Sequence, residues 1–218
     1  MADETEIAMA LAEGKEVWGC LGLAIDRFND SADRDTLLRP GNPPEKRKYA
    51  AGERAIAHRL AFYLECELRK KGLVSDTSEL VVDCEYNRHN GAPKAAYIKE
   101  ELKKIVDSAR KKEWDDPDED GFYVFSVAPD IIVHKRGDDS RNRLVVELKK
   151  ASNPEDERYD ALKLTLFTAP ISEDRGFGYI FGACVIAEDK QEPEGRHLRI
   201  AKQYHSSSRQ RSTDAVLK

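Results

Sequence analysis

The sequence lacks any run of apolar residues long enough to cross a lipid bilayer, which takes about 20 residues in a helix. Its N-terminus also lacks the basic start of a secretory signal, because it opens with Asp3, Glu4 and Glu6. Both absences predict a cytoplasmic protein that has no membrane partner.

Cysteine is scarce, and the four cysteines stand far apart at Cys20, Cys66, Cys84 and Cys184. None of them forms a CxxC pair, so zinc ribbons and dithiol redox motifs are disfavoured. The sequence also has no HxxxH pair and no GxxxxGK[ST] phosphate loop, which disfavours a zinc enzyme and an intrinsic nucleoside triphosphatase. Isolated cysteines in apolar segments are typically small core residues.

Excess positive charge is missing as well, since the net charge is −5 even though 35% of the residues are charged. A protein that coats nucleic acid without specificity needs a broad basic surface, so this function class is disfavoured. An enzyme that acts on nucleic acid remains compatible with the charge, because a pocket that holds a divalent cation must itself be acidic.

The apolar spacing predicts a mixed α/β fold, in which helices cover a mixed sheet. Helices are predicted over 6–29, 45–71, 96–112 and 155–168, and strands over 80–86, 121–135, 143–149 and 177–187. Gly14 and Gly22 are possible breaks in the first helix, and RPGNPP at 39–44 separates it from the second. Pro129 lies inside the 121–135 strand and predicts a bulge, an edge or a bend there.

Composition divides the chain into a core over 41–190, an N-terminal helical extension over 1–40 and a basic, flexible tail over 191–218. The first helix carries an apolar face that must be buried somewhere, and a homodimer formed through these helices is one solution. The members of this face are Leu11, Val17, Trp18, Leu21 and Ile25.

The segment PDIIVHKRGDDSRNRLVVELKK, at 129–150, carries the chemistry. Glu147 and Lys149 lie two apart on a strand, so their side chains share one face. A hairpin that turns near 138–139 places Asp130 opposite Glu147, and two carboxylates that close repel each other unless a cation lies between them. Mg²⁺ prefers such oxygen ligands, so we expect a metal site here, with Mn²⁺ as a substitute.

The Pro129-Asp130 pair, followed after a turn by Glu147-Leu148-Lys149, resembles the motif of the PD-(D/E)XK, or restriction-endonuclease-like, nuclease superfamily. The resemblance covers residues 52–187. Within the superfamily, the chain resembles bacterial and phage members in particular. It implies a mixed central sheet flanked by helices and an Mg²⁺-dependent nuclease that hydrolyses phosphodiester bonds, with DNA preferred over RNA. It further suggests a role in phage defence, restriction or repair.

The resemblance also assigns roles to individual residues. Asp130, Glu147 and an acidic residue of the first core helix would hold metal, and Lys149 would assist the attacking water. Glu53 is the best match for the helix acid, ahead of Glu65 and Glu67. In the same resemblance Arg88 and Lys94 are expected to line the site and contact nucleic acid, and Lys163 to position water or phosphate. The basic composition of the tail, independently of the resemblance, adds Arg199 and Lys202 as expected contacts to the phosphate backbone.

Three other interpretations stay open from the sequence. Glu147 and Lys149 could form a solvated same-face ion pair, and Asp130 could be an ordinary turn residue after proline. The chain could be a catalytically inactive nuclease-fold module that binds nucleic acid or a partner protein. It could also be an unrelated α/β protein in which the motif is accidental.

Overall fold

A computed structural model describes residues 4–38, 51–89, 92–109, 113–151, 157–171, 175–189 and 195–206. The helices are α1 (Glu4–Asn29), α2 (Ala32–Leu37), α3 (Glu53–Lys70), α4 (Lys103–Ala109) and α5 (Glu157–Thr168). The strands are β1 (Leu80–Cys84), β2 (Arg88–His89), β3 (Ala92–Pro93), β4 (Ala95–Ile98), β5 (Tyr123–Ser126), β6 (Ile131–Lys135), β7 (Leu144–Lys150), β8 (Phe181–Glu188) and β9 (His197–His205). None of the described helices is long and apolar enough to span a membrane.

The fold is mixed α/β and is organised around a five-stranded sheet with the order β1-β6-β7-β8-β9. Strands β7 and β8 are parallel and are joined through α5, whereas the other neighbouring pairs are antiparallel. Two short two-stranded sheets, β2-β3 and β4-β5, stand outside it. The mixed sheet predicted from the sequence is confirmed at this level of detail.

Strand β7 shows how the sheet separates two hydrophobic cores. Leu144, Val146 and Leu148 are buried against α1 and α3 on one face, and Val145 is buried against α5 on the other. Side chains alternate between the faces of a strand, so Glu147 and Lys149 belong to the α5 face. Glu147 and Lys149 therefore follow the last apolar residue of β7 on that face.

Helix α1 runs without a break at Gly14 or Gly22, and it packs in the same core as α3. Val17, Leu21 and Ile25 are buried within the chain, so the protein itself covers this part of the predicted apolar face, whereas Leu11 is 42% exposed. The homodimer through the N-terminal helices stays a prediction. The first helix is part of the core instead of an appended extension.

Two predictions of secondary structure are wrong in part. The helix expected over 96–112 begins only at Lys103, because residues 95–98 form β4, in which buried and half-buried side chains alternate. The strand expected over 121–135 is two strands in two sheets, β5 paired with β4 and β6 paired with β1 and β7. Pro129 lies between them, so of the bulge, edge or bend that it predicted the structure has a bend between two strands. The expected break at 39–44 lies outside the described residues.

The tail expected over 191–218 is also wrong in part, since His197–His205 form β9 at the edge of the main sheet. Most side chains of β9 are exposed or half-buried and polar, while Leu198 is buried. Charged residues are common on edge strands because they prevent pairing with other chains. The polar composition of these residues is the reason why the sequence predicted a flexible tail here. Residues 207–218 lie outside the described part.

We expect Leu64→Ala to lower the free energy of unfolding by about 2–5 kcal/mol, because truncation of a fully buried leucine leaves a cavity in the core. Leu64 lies on α3, is inaccessible to solvent and belongs to the hydrophobic core that α1, α3 and the sheet share. His58→Ala is the matched control on an exposed position of the same helix, with an expected change within about 0.5 kcal/mol. Urea denaturation measures both, and equal effects would contradict the packing described.

Candidate active site

The hairpin of β6 and β7 has the register that the sequence predicted. Ile131 pairs with Val146, Ile132 with Val145 and Val133 with Leu144. The next position places Asp130 opposite Glu147, although regular pairing ends at Ile131. Proline has no N–H to donate to a ladder, so Pro129 is compatible with the chain leaving β7 at this point.

Beyond that point, two backbone N–H groups of β7 lack a neighbouring strand and donate to carboxylates instead. The N–H of Leu148 donates to Asp130 Oδ2 at 2.7 Å. The N–H of Lys150 donates to Glu53 Oε1 at 2.9 Å. A buried N–H without an acceptor costs about 1–3 kcal/mol, so these bonds fix both side chains at the open edge of β7.

The backbone around Asp130 is held from β1 as well. The N–H of Glu85 donates to the carbonyl oxygen of Asp130 at 3.1 Å. Glu85 adopts a left-handed conformation with φ of 49°, which is uncommon for a residue other than glycine. Its side chain lies 2.5 Å from Arg54 at the start of α3. The turn after β1 thus ties Asp130 to the helix that carries Glu53.

All four residues that were predicted as catalytic line one cavity of about 180 Å³. They are Glu53, Asp130, Glu147 and Lys149. Its lining is completed by Ala109, Leu148, Tyr159, Asp160 and Lys163. Glu147 is buried in the β7 wall, and its Oε1 has no hydrogen-bond partner among the described residues. A buried carboxylate oxygen without a hydrogen-bond partner calls for a cationic or donating partner.

Helix α5 contributes two charged residues to the pocket. Lys163 Nζ lies 2.5 Å from Glu147 Oε2 and 3.3 Å from Asp160 Oδ1. The second oxygen of Asp160 lies 3.6 Å from Lys149 Nζ. Asp160 therefore stands between the two lysines of the site, with one oxygen directed to each.

Asp160 was missed in the sequence, and Lys163 was predicted to contact nucleic acid by positioning water or phosphate. The sequence signal was their spacing of three in a segment rich in leucine and aromatic residues, because residues three apart on a helix share a face. Only the structure shows that both side chains are buried. The parallel connection between β7 and β8 brings α5 to that position.

Burial dominates the electrostatics of the pocket. It raises the pKa of Asp130 to about 6, and the neighbouring Asp160 and Glu53 add to the rise. Burial also raises the pKa of Glu147 well above its usual value, with Asp130 and Asp160 reinforcing it and Lys163 opposing it. Burial lowers the pKa of Lys163, but Glu147 and Asp160 outweigh it and the net change is upward.

The residues fit a hard divalent cation in chemistry and charge. Four carboxyl groups face two ammonium groups in the cavity, which leaves an excess of negative charge. Asp130 and Glu53 each accept a backbone N–H of β7 with one oxygen. Glu147 lines the cavity, and its buried Oε1 has no hydrogen-bond partner among the described residues. No set of three or more His, Cys, Asp or Glu residues within the described ranges is already arranged around a common point as a cation site.

The weaker candidates for the helix acid have other partners. Glu65 pairs with Arg69, and Glu67 pairs with Arg27 and Lys70. Neither residue lines the cavity, so Glu53 is the acid that α3 brings to the site.

The prediction that Lys94 contacts nucleic acid at the surface is wrong, because this lysine is buried. It is 2% exposed and donates to Tyr179 Oη at 3.1 Å, with the rings of Tyr86 and Phe177 also near its ammonium group. Burial lowers the pKa of Lys94 to about 8. The aromatic surroundings that hold this lysine were not visible in the local sequence.

Three other expected contacts lie on the surface outside the cavity. Arg88 is exposed on β2. Arg199 lies 3.0 Å from Glu188, and Lys202 lies 2.8 Å from Glu157. Both β9 residues are thus engaged by acids, and their role toward nucleic acid stays a prediction.

Comparisons with known proteins add no support to the resemblance, which therefore rests on the sequence motif alone. No family model matches the chain. No curated protein matches it significantly in sequence, and no solved structure matches it significantly.

We expect Asp130→Asn to stabilise the protein at pH 7.5, measured by urea denaturation in the presence of a chelator. The folded state raises the pKa of Asp130, so stability falls as the pH rises from about 4 through 6 and its carboxylate ionises. The amide removes this charge and still offers an oxygen to the N–H of Leu148. The expected gain is on the order of 1–3 kcal/mol.

The gain should shrink toward pH 4, because the carboxyl group of Asp130 is then protonated in the folded state and about half protonated in the unfolded state, where its pKa is near 3.8. If Asp130→Asn destabilises the protein equally at pH 4 and pH 7.5, the buried charge is not the cost that we assign to it.

Proposed function

We propose that the protein is a divalent-metal-dependent nuclease with a restriction-endonuclease-like fold, which hydrolyses phosphodiester bonds in DNA. The observation that carries the proposal is the convergence of Asp130, Glu147 and Lys149 in one acidic cavity, with Glu147 Oε1 buried and unpartnered among the described residues. A solvated surface pair does not explain a carboxylate that is 2% exposed.

The arrangement of elements supports the proposed fold. The motif lies on a hairpin inside a mixed sheet, and a helix from earlier in the chain supplies Glu53 beside it. These are features that the sequence resemblance implies. The choice of DNA over RNA rests on that resemblance only.

In this proposal Asp130, Glu147 and Glu53 bind Mg²⁺, and Mn²⁺ substitutes for it. A bound dication lowers the pKa of a coordinated water and polarises phosphoryl oxygens. Lys149 stands on the same strand face as Glu147, where its ammonium group can orient the attacking water or balance charge that develops on the phosphate. Asp160 holds that ammonium group from the helix side, at 3.6 Å.

A second candidate is a catalytically inactive module of the same fold, which binds nucleic acid or a partner protein. The Lys163–Glu147 ion pair favours it, because an internal ammonium group can neutralise Glu147 without metal. The two candidates differ in a property that can be measured, since only the enzyme requires a divalent cation at Glu147.

We expect Lys149→Met to reduce DNA cleavage by at least about 100-fold, because it removes one charge from the reacting centre and keeps the side-chain length. The assay incubates circular, linear and single-stranded DNA with Mn²⁺. Lys135→Met is the matched control, since Lys135 is a half-buried strand lysine that pairs with Glu79 and Asp138. Cleavage by Lys149→Met at the wild-type rate would refute the role of Lys149.

Calorimetry with Mn²⁺ separates the enzyme from the module. We expect binding at millimolar or lower Mn²⁺ in the wild type and its loss in Glu147→Gln, because the amide is a neutral and weaker oxygen ligand. Thermal unfolding serves as a control that the variant is folded. The absence of Mn²⁺ binding to the wild type at millimolar concentration would favour the module.

A further inference from the structure

Lys163 forms an ion pair with Glu147, a carboxylate that is also a proposed ligand of the metal ion. Its Nζ lies 2.5 Å from Glu147 Oε2, and both side chains are buried. The other oxygen of Glu147 has no partner among the described residues. A cation that binds at Glu147 therefore meets an ammonium group already bound to the same carboxylate, and the two positive charges repel each other.

Asp160 offers Lys163 an alternative partner on the same helix. Asp160 Oδ1 is already 3.3 Å from Lys163 Nζ, so a small side-chain movement can exchange one carboxylate for the other. The ring of Tyr159, with its centroid 5.1 Å from the ammonium group, adds a favourable surface for the charge. Asp160 Oδ2 faces Lys149 at the same time.

We propose that Lys163 is an internal competitor of the metal for Glu147, and that Asp160 is the positioning residue that receives Lys163 when metal binds. This inference rests on the proposed function and concerns regulation of the same site. Metal loading and the position of Lys163 are then coupled. The lysine charge leaves Glu147 and stays within the cavity, beside Lys149.

Four proteins test this exchange: the wild type, Lys163→Met, Asp160→Asn and the double variant. Mn²⁺ affinity is measured by calorimetry at constant pH. We expect Lys163→Met to bind Mn²⁺ about tenfold tighter than the wild type, because the competing charge is gone. We expect Asp160→Asn to bind Mn²⁺ more weakly, by about threefold to tenfold, because Lys163 loses its alternative partner.

The double variant distinguishes a receiving role from direct metal ligation by Asp160. If Asp160 acts through Lys163, the double variant binds Mn²⁺ as tightly as Lys163→Met does. If the loss from Asp160→Asn persists without Lys163, Asp160 is itself a ligand and the proposed exchange is wrong. Lys135→Met is the control for removal of a lysine from the protein, and its Mn²⁺ affinity should equal that of the wild type.

The outcomes separate this inference from the proposed function. If the wild type binds Mn²⁺ and cleaves DNA while Lys163→Met binds no tighter, only the competition is refuted. If neither protein binds Mn²⁺, the metal site and the competition are both refuted.

Should Lys163→Met fail to fold, Lys163→Gln replaces it, because the amide keeps a donor for Glu147 without the charge. A further readout is the rise in melting temperature on adding Mn²⁺, which should be larger in either Lys163 variant than in the wild type.

Discussion

The site depends on two backbone N–H groups of β7 that extend past the last residue of β6. In a regular sheet, the N–H groups of Leu148 and Lys150 would be taken by the neighbouring strand. Here Asp130 and Glu53 accept them, at 2.7 and 2.9 Å. The same two bonds complete the hydrogen bonding of β7 and bring two carboxylates to the face that carries Glu147 and Lys149. One interruption of pairing thus organises residues from three elements.

This arrangement creates an electrostatic conflict that the rest of the pocket offsets only in part. Three carboxyl groups gather at the end of β7, and Asp160 adds a fourth from α5. Lys149 and Lys163 supply two positive charges, and one buried oxygen of Glu147 still has no partner within the described part of the chain. Strongly perturbed carboxyl groups in a cleft are typical of functional sites, where local stability is sacrificed for binding or chemistry. A divalent cation is the ligand that would remove most of this conflict.

Local pattern was sufficient to predict the hairpin, its register and the sharing of a face by Glu147 and Lys149. It was sufficient because strand alternation and turn position fix register whenever one face is buried. The position of Glu53 was anticipated through the resemblance, but its bond to the N–H of Lys150 depends on how α3 crosses the sheet, which no local pattern records. Asp160 and Lys163 depend in the same way on the placement of α5 after the parallel connection.

The errors have a related origin. Residues 95–98 lie next to a helical segment, and their pairing with β5 is a tertiary contact that overrides the apparent periodicity. The strand β9 is polar because it lies at the edge of the sheet, so its composition resembled that of a tail. Lys94 was counted as a surface cation, yet residues distant in sequence, Phe177 and Tyr179, enclose it. Each error arose where long-range packing decided the outcome.

A divalent cation in this cavity can be located in a crystal structure of the protein with Mn²⁺, with anomalous diffraction recorded. We expect an anomalous peak at about 2.0–2.4 Å from an oxygen of Asp130 and from Glu147 Oε1, with Lys163 turned toward Asp160. Crystals at millimolar Mn²⁺ that show no peak in this cavity, with Lys163 still on Glu147, would contradict this expectation.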